Sequence, residues 1–532
     1  MKKKKRQNLS NQLKLCSIEK EIQLQNDLKS LESAETLFLK QKSKIQWLKE
    51  GDKCSKLFHY ALALKHKRDT IRILVDDHGN RLESFDSMSA EVINFFTNLI
   101  GTIDYEVKAI EPFLLKDILQ SAITEDNAHD LIKEITNEEI KTAFFCQGND
   151  KSPGPDGYTP FFFKKAWHII REDVTAAVKY FFIESSLLPA FNATIVTLVH
   201  KIPNPSKVKD FRLISCCSVF YKAIYKILVS RLQKLIPDLV SLNQTAFVKG
   251  RNIVDNTLLT QELVRGYNRK NISPRCSLKI DLHKAFDTLH WDFISVILKA
   301  IGLPPIFIKW IEICLSTPRY FIAFNRTLIG FFKGAKGIRQ GDPLSSLLFV
   351  LSMNVLSRLL NLAAARGVFG YHPKFKRIGL THLSFADDLL IFCKGSIDSV
   401  IGVTSVLDLF YEIFGLKLNA SKCDFYAAGL HSTYNIPNYG LPVRYLGISL
   451  VSRKISDKDC TSLIENIRAR LNHWTTKTLS YAVLSKLEQF YSRFFWKGAD
   501  KSATGARLES KAYLQALSYG LSHPYCWNGE NY

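Results

Sequence analysis

Two short stretches carry residue types that could do chemistry together. Leu383-Ser-Phe-Ala-Asp-Asp-Leu-Leu-Ile-Phe392 sets two adjacent acids between apolar runs, the pattern of a hairpin with its tip at Asp387 and Asp388. Burying ionised carboxylates beside an apolar sheet is costly unless a cation or a hydrogen-bond network compensates, so such a pair points to a metal site. A plain Asp-rich turn is the other reading of the same residues. Leu278-Lys-Ile-Asp-Leu-His-Lys-Ala-Phe-Asp287 adds Asp281 at the end of an apolar strand, before a helix through Trp291 to Ala300 that Gly302 and Pro304 close. A strand-end carboxylate can face another on a neighbouring hairpin, and two divalent ions about 3.5–4 Å apart would then clamp an attacking oxygen and a leaving phosphate oxygen. Asp287 reads as a helix-start residue.

The elements that must position these acids follow from the pattern around them. From Phe161 to about Leu450 short apolar runs alternate with amphipathic helices, which predicts an α+β region with a small sheet. Strands are expected at Thr194 to Val199, Cys276 to Asp281, Leu383 to Ala386 and Leu389 to Cys393. Lys151-Ser-Pro-Gly-Pro-Asp-Gly157 must be a loop, because its prolines and glycines forbid helix or central strand. Residues 7 to about 66 are polar, free of Pro and helical in spacing, and turn signals follow at Asp76-Asp77-His78-Gly79-Asn80. Asp342-Pro343 reads as an N-cap with Pro in the first helical turn.

Composition narrows the partners. Lys and Arg outnumber Asp and Glu by 72 to 50, a formal +22 that favours a polyanion over an acidic small molecule. Eleven cysteines are scattered without a C-x-x-C, which argues against a disulfide framework or a structural zinc site. The basic run Lys2 to Arg6 leads into polar residues, so it is no secretory signal; nuclear or cytoplasmic placement is expected. Leu344 to Leu360 is the most apolar window, but its serines, Asn354 and Arg358 speak against a membrane span.

These segments resemble the reverse transcriptases of LINE-type, non-long-terminal-repeat retrotransposons, those of plants in particular. The resemblance runs from about Lys42 to Leu450 and rests on motifs in the family's order. They begin with Gln41-Lys-Ser-Lys-Ile-Gln-Trp-Leu-Lys-Glu-Gly-Asp52, the Lys151 loop, Phe211-Arg-Leu-Ile-Ser215 and Asn243-Gln-Thr-Ala-Phe-Val-Lys-Gly-Arg-Asn252. The Asp281 segment, Gly337-Ile-Arg-Gln-Gly-Asp-Pro-Leu-Ser345, Phe385-Ala-Asp-Asp388, Gly415-Leu-Lys-Leu-Asn419 with Lys422, and Tyr445-Leu-Gly447 follow.

The resemblance implies a right-hand polymerase: a basic, largely helical region over 1–110, fingers and palm over 140–452, a shortened thumb-like region over 453–498 and an irregular tail over 499–532. Asp281, Asp387 and Asp388 look like its catalytic carboxylates, holding two Mg²⁺ ions, or Mn²⁺, with the Leu282 carbonyl as a further ligand. Lys422 resembles the lysine that protonates the leaving pyrophosphate. Lys201 and Arg212 look like triphosphate-binding residues, Phe286 like the gate against a ribose 2′-hydroxyl, and Gln340 and Gly341 like nucleotide contacts. Tyr445, Leu446 and Gly447 look like the primer grip. The implied partners are an RNA template, a DNA primer and deoxynucleoside triphosphates.

The pattern is broken in places. Leu213 stands where the family usually has Pro, and His200 replaces the Pro before Lys201, changes that would loosen a loop in the fingers. Leu479-Ser-Tyr-Ala482 meets the Phe494-Phe-Trp496 segment sooner than the family's thumb would. No endonuclease, Cys/His knuckle or ribonuclease H pattern is visible, so a partial or degenerate copy is expected. An RNA-directed DNA polymerase and a catalytically impaired nucleic-acid-binding remnant are the competing functions. An RNA-directed RNA polymerase, a third reading, is disfavoured by Phe286.

If the +22 charge serves nucleic acid, neutralising about six to ten phosphates costs roughly 10³–10⁵ in affinity between about 50 and 200 mM salt. Titrating a primer–template duplex at both salts checks this. A nearly flat dependence would assign the charge to something else.

Overall fold

The computed structural model describes residues 18–43, 55–429 apart from 105–106, 109, 266 and 268–271, and 443–450 apart from 447. The expected thumb-like region and tail, and most of the 41–52 motif, lie outside the described residues. Two compact units divide the rest, one ending at Ile73 and the other beginning at Leu74. The first contains the expected polar helices, Ile18–Ser43 and Ser55–Asp69, neither of which gathers its apolar residues on one face.

The larger unit opens with β1 (Leu74–Val75) and β2 (Arg81–Leu82), joined by the expected turn. The Asp76 carboxylate accepts the His78 and Asn80 amides there. The helix Phe85–Ile100, grouped by sequence with the N-terminal region, belongs to this unit and buries Met88, Val92, Phe96 and Ile100. Helices at Glu125–Ile132, Asn137–Phe145 and Pro160–Lys165 each begin at a threonine whose hydroxyl accepts an amide three residues on. Arg231 ties two of these segments to the helix Val219–Leu232, donating to both Glu139 oxygens at 3.0 and 2.8 Å and to the Leu131 and Lys133 carbonyls.

Two four-stranded sheets follow. The first comprises β3 (Ala193–His200), β4 (Phe211–Cys217), β6 (Arg319–Phe324) and β7 (Thr327–Lys333) in the order β4-β3-β6-β7, with β3 and β6 parallel. The second comprises β5 (Arg275–Ile280), β8 (His382–Phe385), β9 (Asp388–Lys394) and β10 (Asp424–Ala428) in the order β10-β5-β9-β8, antiparallel throughout. All four expected strands form, but they join others that the sequence pattern hid. The β6–β7 turn places Asn325 and Arg326 at φ 44° and 72°, both left-handed, where the familiar signal would be Asn-Gly. Leu213 sits inside β4 opposite Leu198, buried, rather than in a loosened loop, and His200 ends β3 opposite Phe211.

The second sheet is covered on both faces. Leu389, Ile391 and Cys393 face the main core, while Leu390 and Phe392 face a smaller cluster, which explains an unbroken apolar strand. The Pro343–Ala365 helix runs through the main core; it is apolar and long enough to cross a membrane, yet it is buried within the fold. Two of its polar residues bond within the fold: Asn354 bridges the Leu239 carbonyl and the Ser241 amide, and Ser357 meets His382. The Lys151 loop lies irregular as expected. A Cβ on its Gly154 would come within 2.4 Å of the Ser218 amide, so only glycine allows that approach.

Two histidines of this unit, His372 and His382, are fully buried. His382 bonds Thr381 at 2.8 Å and Ser357 at 2.9 Å; His372 bonds the Tyr267 hydroxyl at 3.0 Å and the Lys374 amide at 3.2 Å. Burial pushes both down to about 3, with Arg275 and Lys374 adding to the effect at His372. Because the unfolded value is near 6.5, the stability they confer is present above that pH and is lost as pH falls toward 3. Thermal midpoints should therefore drop on acidification below about pH 6.5, less steeply in His382→Gln than in the parent. Equal slopes would show that His382 stays neutral for no energetic reason.

Candidate active site

The acids converge on one end of the second sheet. Asp281 follows the last residue of β5, and β9 lies next to β5 with Ile280 opposite Leu389. Asp387 and Asp388 come from the β8–β9 hairpin, whose last pair is Phe385 with Asp388. Only Ala386 and Asp387 lie between the strands, so the turn is as short as a hairpin allows. Ala386 takes φ 54°, a left-handed value that costs a residue with a Cβ about 1–3 kcal/mol. Gln244 offsets that cost by engaging both polar groups of Ala386, accepting its amide at 3.0 Å and donating to its carbonyl at 3.4 Å.

Asp281 is held from the opposite side. The Asn419 amide side chain donates to its Oδ2 at 2.8 Å, and the Asn419 backbone amide donates to its carbonyl at 2.9 Å. The Gly415–Asn419 segment thus runs beside Leu282, which pairs with Leu418. Lys422 places its Nζ 3.9 Å from Asp281 Oδ2 and is otherwise open to solvent.

Charge crowding marks the site. Burial raises Asp387, and the neighbouring Asp281 raises it further, against Arg212 and Lys422. Asp387 is solvent-accessible at the hairpin tip, so the protein mass around it and the solvent in front of it act together. Asp388 is raised to about 6 by burial first and by Asp387 second. Among the described residues no group of three or more His, Cys, Asp and Glu closes into a metal cage. Mg²⁺ is usually bound by one or two carboxylates, with water and substrate phosphate completing the shell. The crowded, half-desolvated carboxylates are a donor set that a divalent cation would relieve.

Other expected residues gather around a small cavity, which Lys201, Arg212 and Gln340 line with Lys209, Lys284 and Phe95, and Arg212 favours the ionised form of Asp387. Lys201 donates to the Lys209 carbonyl at 2.8 Å, and burial lowers its pKa. The Gln340 carbonyl accepts the Ser215 amide at 3.0 Å, fastening its loop to β4, and Gly341 next to it has φ 113°. Phe286 is half-buried and stacks on Phe349, centroids 4.5 Å apart at 18°, while its carbonyl accepts the Ile338 amide at 2.7 Å.

One expectation needs correction. Asp287 caps no helix: the short Ala285–Thr288 turn starts from Lys284 at φ 47°, and Asp287 is its third residue. Its carboxyl instead lines the cavity, pushed up to about 6 by burial against the pull of Lys284 and Lys201. Tyr445, at the end of β11 (Val443–Tyr445), is fully buried with Leu383, Leu390 and Phe392. Leu446 carries φ 50°; Gly447 lies outside the described residues, and β12 (Ile448–Leu450) follows.

Residues 202–450 match the protein family described as reverse transcriptase (RNA-dependent DNA polymerase). The matched stretch takes in Asp281, Asp387 and Asp388. It is 26% identical over 357 residues to the transposon TX1 uncharacterized 149 kDa protein of Xenopus laevis, a match covering 67% of this chain and 27% of that protein. To the Pol polyprotein from the type-2 retrotransposable element R2DM of Drosophila melanogaster it is 29% identical over 290 residues, 54% of this chain and 26% of that protein. To the Pol polyprotein from the type-1 retrotransposable element R2 of Nasonia vitripennis it is 26% identical over 293 residues, 55% and 27% of the two chains. The chain thus spans about a quarter of the length of these relatives.

Within the matched stretch, the Asn419 bond is the direct restraint on the Asp281 carboxylate. Asn419→Ala should lower any metal-dependent nucleotide addition by on the order of tenfold while leaving the thermal midpoint near the parent's. Parent-level turnover would mean that Asp281 is oriented without it.

Proposed function

We propose that this chain is the polymerase core of a LINE-type element, extending a DNA primer on an RNA template. The observation that carries the reading is the meeting of Asp281, Asp387 and Asp388 at one sheet end, charge-coupled to one another and to Arg212 of the cation-lined cavity. The β10-β5-β9-β8 sheet is then the palm, and the β4-β3-β6-β7 sheet with its helices belongs to the fingers.

In this reading Asp281, Asp387 and Asp388 would hold the two divalent ions, with the Leu282 carbonyl beside them. Those ions, when bound, supply Lewis acidity to the primer 3′-hydroxyl and charge neutralisation to the triphosphate. The chain's own groups do the rest. Lys201 and Arg212 attract the triphosphate into the cavity, where burial strengthens each charged contact. Phe286 cannot retreat, because Phe349 backs its ring and the Ile338 amide pins its carbonyl, so it is suited to exclude a 2′-hydroxyl. Lys422, the cation nearest Asp281 in the ion-pair geometry, has the proton that a departing pyrophosphate needs. The buried Tyr445 leaves the backbone of the β11–β12 hairpin, rather than that ring, to meet a primer.

Purified chain should extend a primer on RNA in Mg²⁺, and Asp387→Asn should abolish extension while retaining primer–template binding, because the phosphate-binding cations remain. Extension that survives in Asp387→Asn would remove the carboxylate assignment. A parent that binds the duplex but adds no nucleotide would turn the reading to a binding remnant.

A further inference from the structure

The Asn243–Asn252 motif touches none of the acids, yet it lies along the hairpin that carries two of them. Gln244 forms a parallel bridge with Ser384 of β8. Around that bridge the Asn243 carbonyl accepts the Ser384 amide at 2.9 Å, and the Thr245 amide donates to the Ser384 carbonyl at 3.2 Å. Asn256 donates to the same Ser384 carbonyl at 2.9 Å, and Asn243 donates to the His382 carbonyl at 3.0 Å. The side of β8 away from β9 is thereby occupied up to the residue before the turn.

Gln244 itself is fully buried, and its amide group reaches both backbone polar groups of Ala386. Its Oε1 accepts the Ala386 and Ala246 amides, each at 3.0 Å, and its Nε2 donates to the Ala386 carbonyl. Ala386 is the left-handed residue that sets where Asp387 leaves the strand. Gln244 is fixed in its turn by Arg251, whose guanidinium donates to the Gln244 carbonyl at 2.7 Å, to Val240 at 2.7 Å, to Pro237 at 2.9 Å and to Ser241. One cation thus gathers four carbonyls of the segment 237–244, and the side chain of its last residue clamps the acidic turn.

We infer that Gln244 is a positioning residue for the Asp387–Asp388 pair, holding Ala386 left-handed so that both carboxylates are presented together, with Arg251 setting Gln244. The inference deepens the polymerase reading and rests on it. A buried amide that satisfies both the N–H and the C=O of a single strained residue leaves that residue one backbone conformation. Without the clamp, Ala386 relaxes toward negative φ, and the Asp387 side chain swings with it. Glycine at 386 adopts the left-handed value at no steric cost, so it should need the clamp less.

The test combines Gln244→Ala, Ala386→Gly and the double variant in the full chain. Gln244→Ala should raise the Mg²⁺ concentration for half-maximal extension about tenfold, with the nucleotide KM within about twofold of the parent. Hydrogen exchange of the Ala386 amide, read by mass spectrometry without metal or substrate, should accelerate by at least about tenfold in the same variant. The double variant should recover most of the Mg²⁺ response. Parent-like exchange at Ala386 in Gln244→Ala would overturn the inference. So would a loss of Mg²⁺ response that Ala386→Gly fails to repair, since a general packing defect would ignore residue 386. Arg251→Lys provides a second variant should Gln244→Ala fail to fold, and it should accelerate the same amide; parent-like exchange there also overturns the inference. A parent that adds no nucleotide at any Mg²⁺ concentration would sink the polymerase reading, while the exchange measurement would still decide the clamp.

Discussion

Repulsion among three carboxylates at the end of one sheet is the constraint that the rest of the structure answers. Burial raises the cost of ionising Asp387 and Asp388, Asp281 adds to it at both, and Asp387 adds to it at Asp388. Left alone, such a cluster would relax by rotating its side chains apart. Here each route is closed by a bond from outside the sheet: Asn419 on Asp281, and Gln244 on the turn before Asp387. Lys422 stands 3.9 Å from Asp281, and Arg212 and Lys422 both favour the ionised form of Asp387. The arrangement holds negative charge ready for a cation instead of neutralising it from within.

The cation-lined cavity solves the opposite problem. Lys201, Lys209, Lys284 and Arg212 line a small volume, and burial works against the ammonium groups of Lys201 and Lys284. Asp287 faces them and favours their charged forms. Lys284 also lies over the Phe95 ring at 4.3 Å, a contact that brings the Phe85–Ile100 helix into the wall of the cavity. That helix precedes the matched family region by a hundred residues, so the cavity is a product of the larger unit and not of residues 202–450 alone.

Much of this was legible in the sequence, for reasons that are local. Apolar runs ending in acids wrote out β5, β8 and β9, the prolines and glycines from Pro153 to Gly157 wrote out a loop, and Asp342-Pro343 wrote out a cap that the Leu344 amide confirms. Where the sequence misled, the deciding contact was distant in the chain. Asp287 looks like a helix start because acids favour that place, yet its turn begins from a left-handed lysine and its carboxyl faces lysines from two segments. The β6–β7 hairpin escaped because Arg326 occupies a left-handed position that glycine normally advertises. Gln244 was visible only as part of a motif, because a glutamine's role depends on what its amide reaches, here Ala386, 142 residues away.

Tyr445 packs against the hairpin that carries two of the acids. Its ring is buried among Leu383, Leu390 and Phe392, which come from the two strands that carry the acidic turn. Side chains on alternate positions of β9 point to opposite faces, so Leu390 and Phe392 define the face away from the main core. A bulky ring pressed on that face supports the hairpin from below, while Leu389 and Ile391 fix it from the main core. The hairpin tip is therefore braced on three sides: Tyr445 beneath, the main core opposite, and the Gln244 segment along the free edge of β8. The fourth side, where Asp387 meets solvent, is the one left for a ligand.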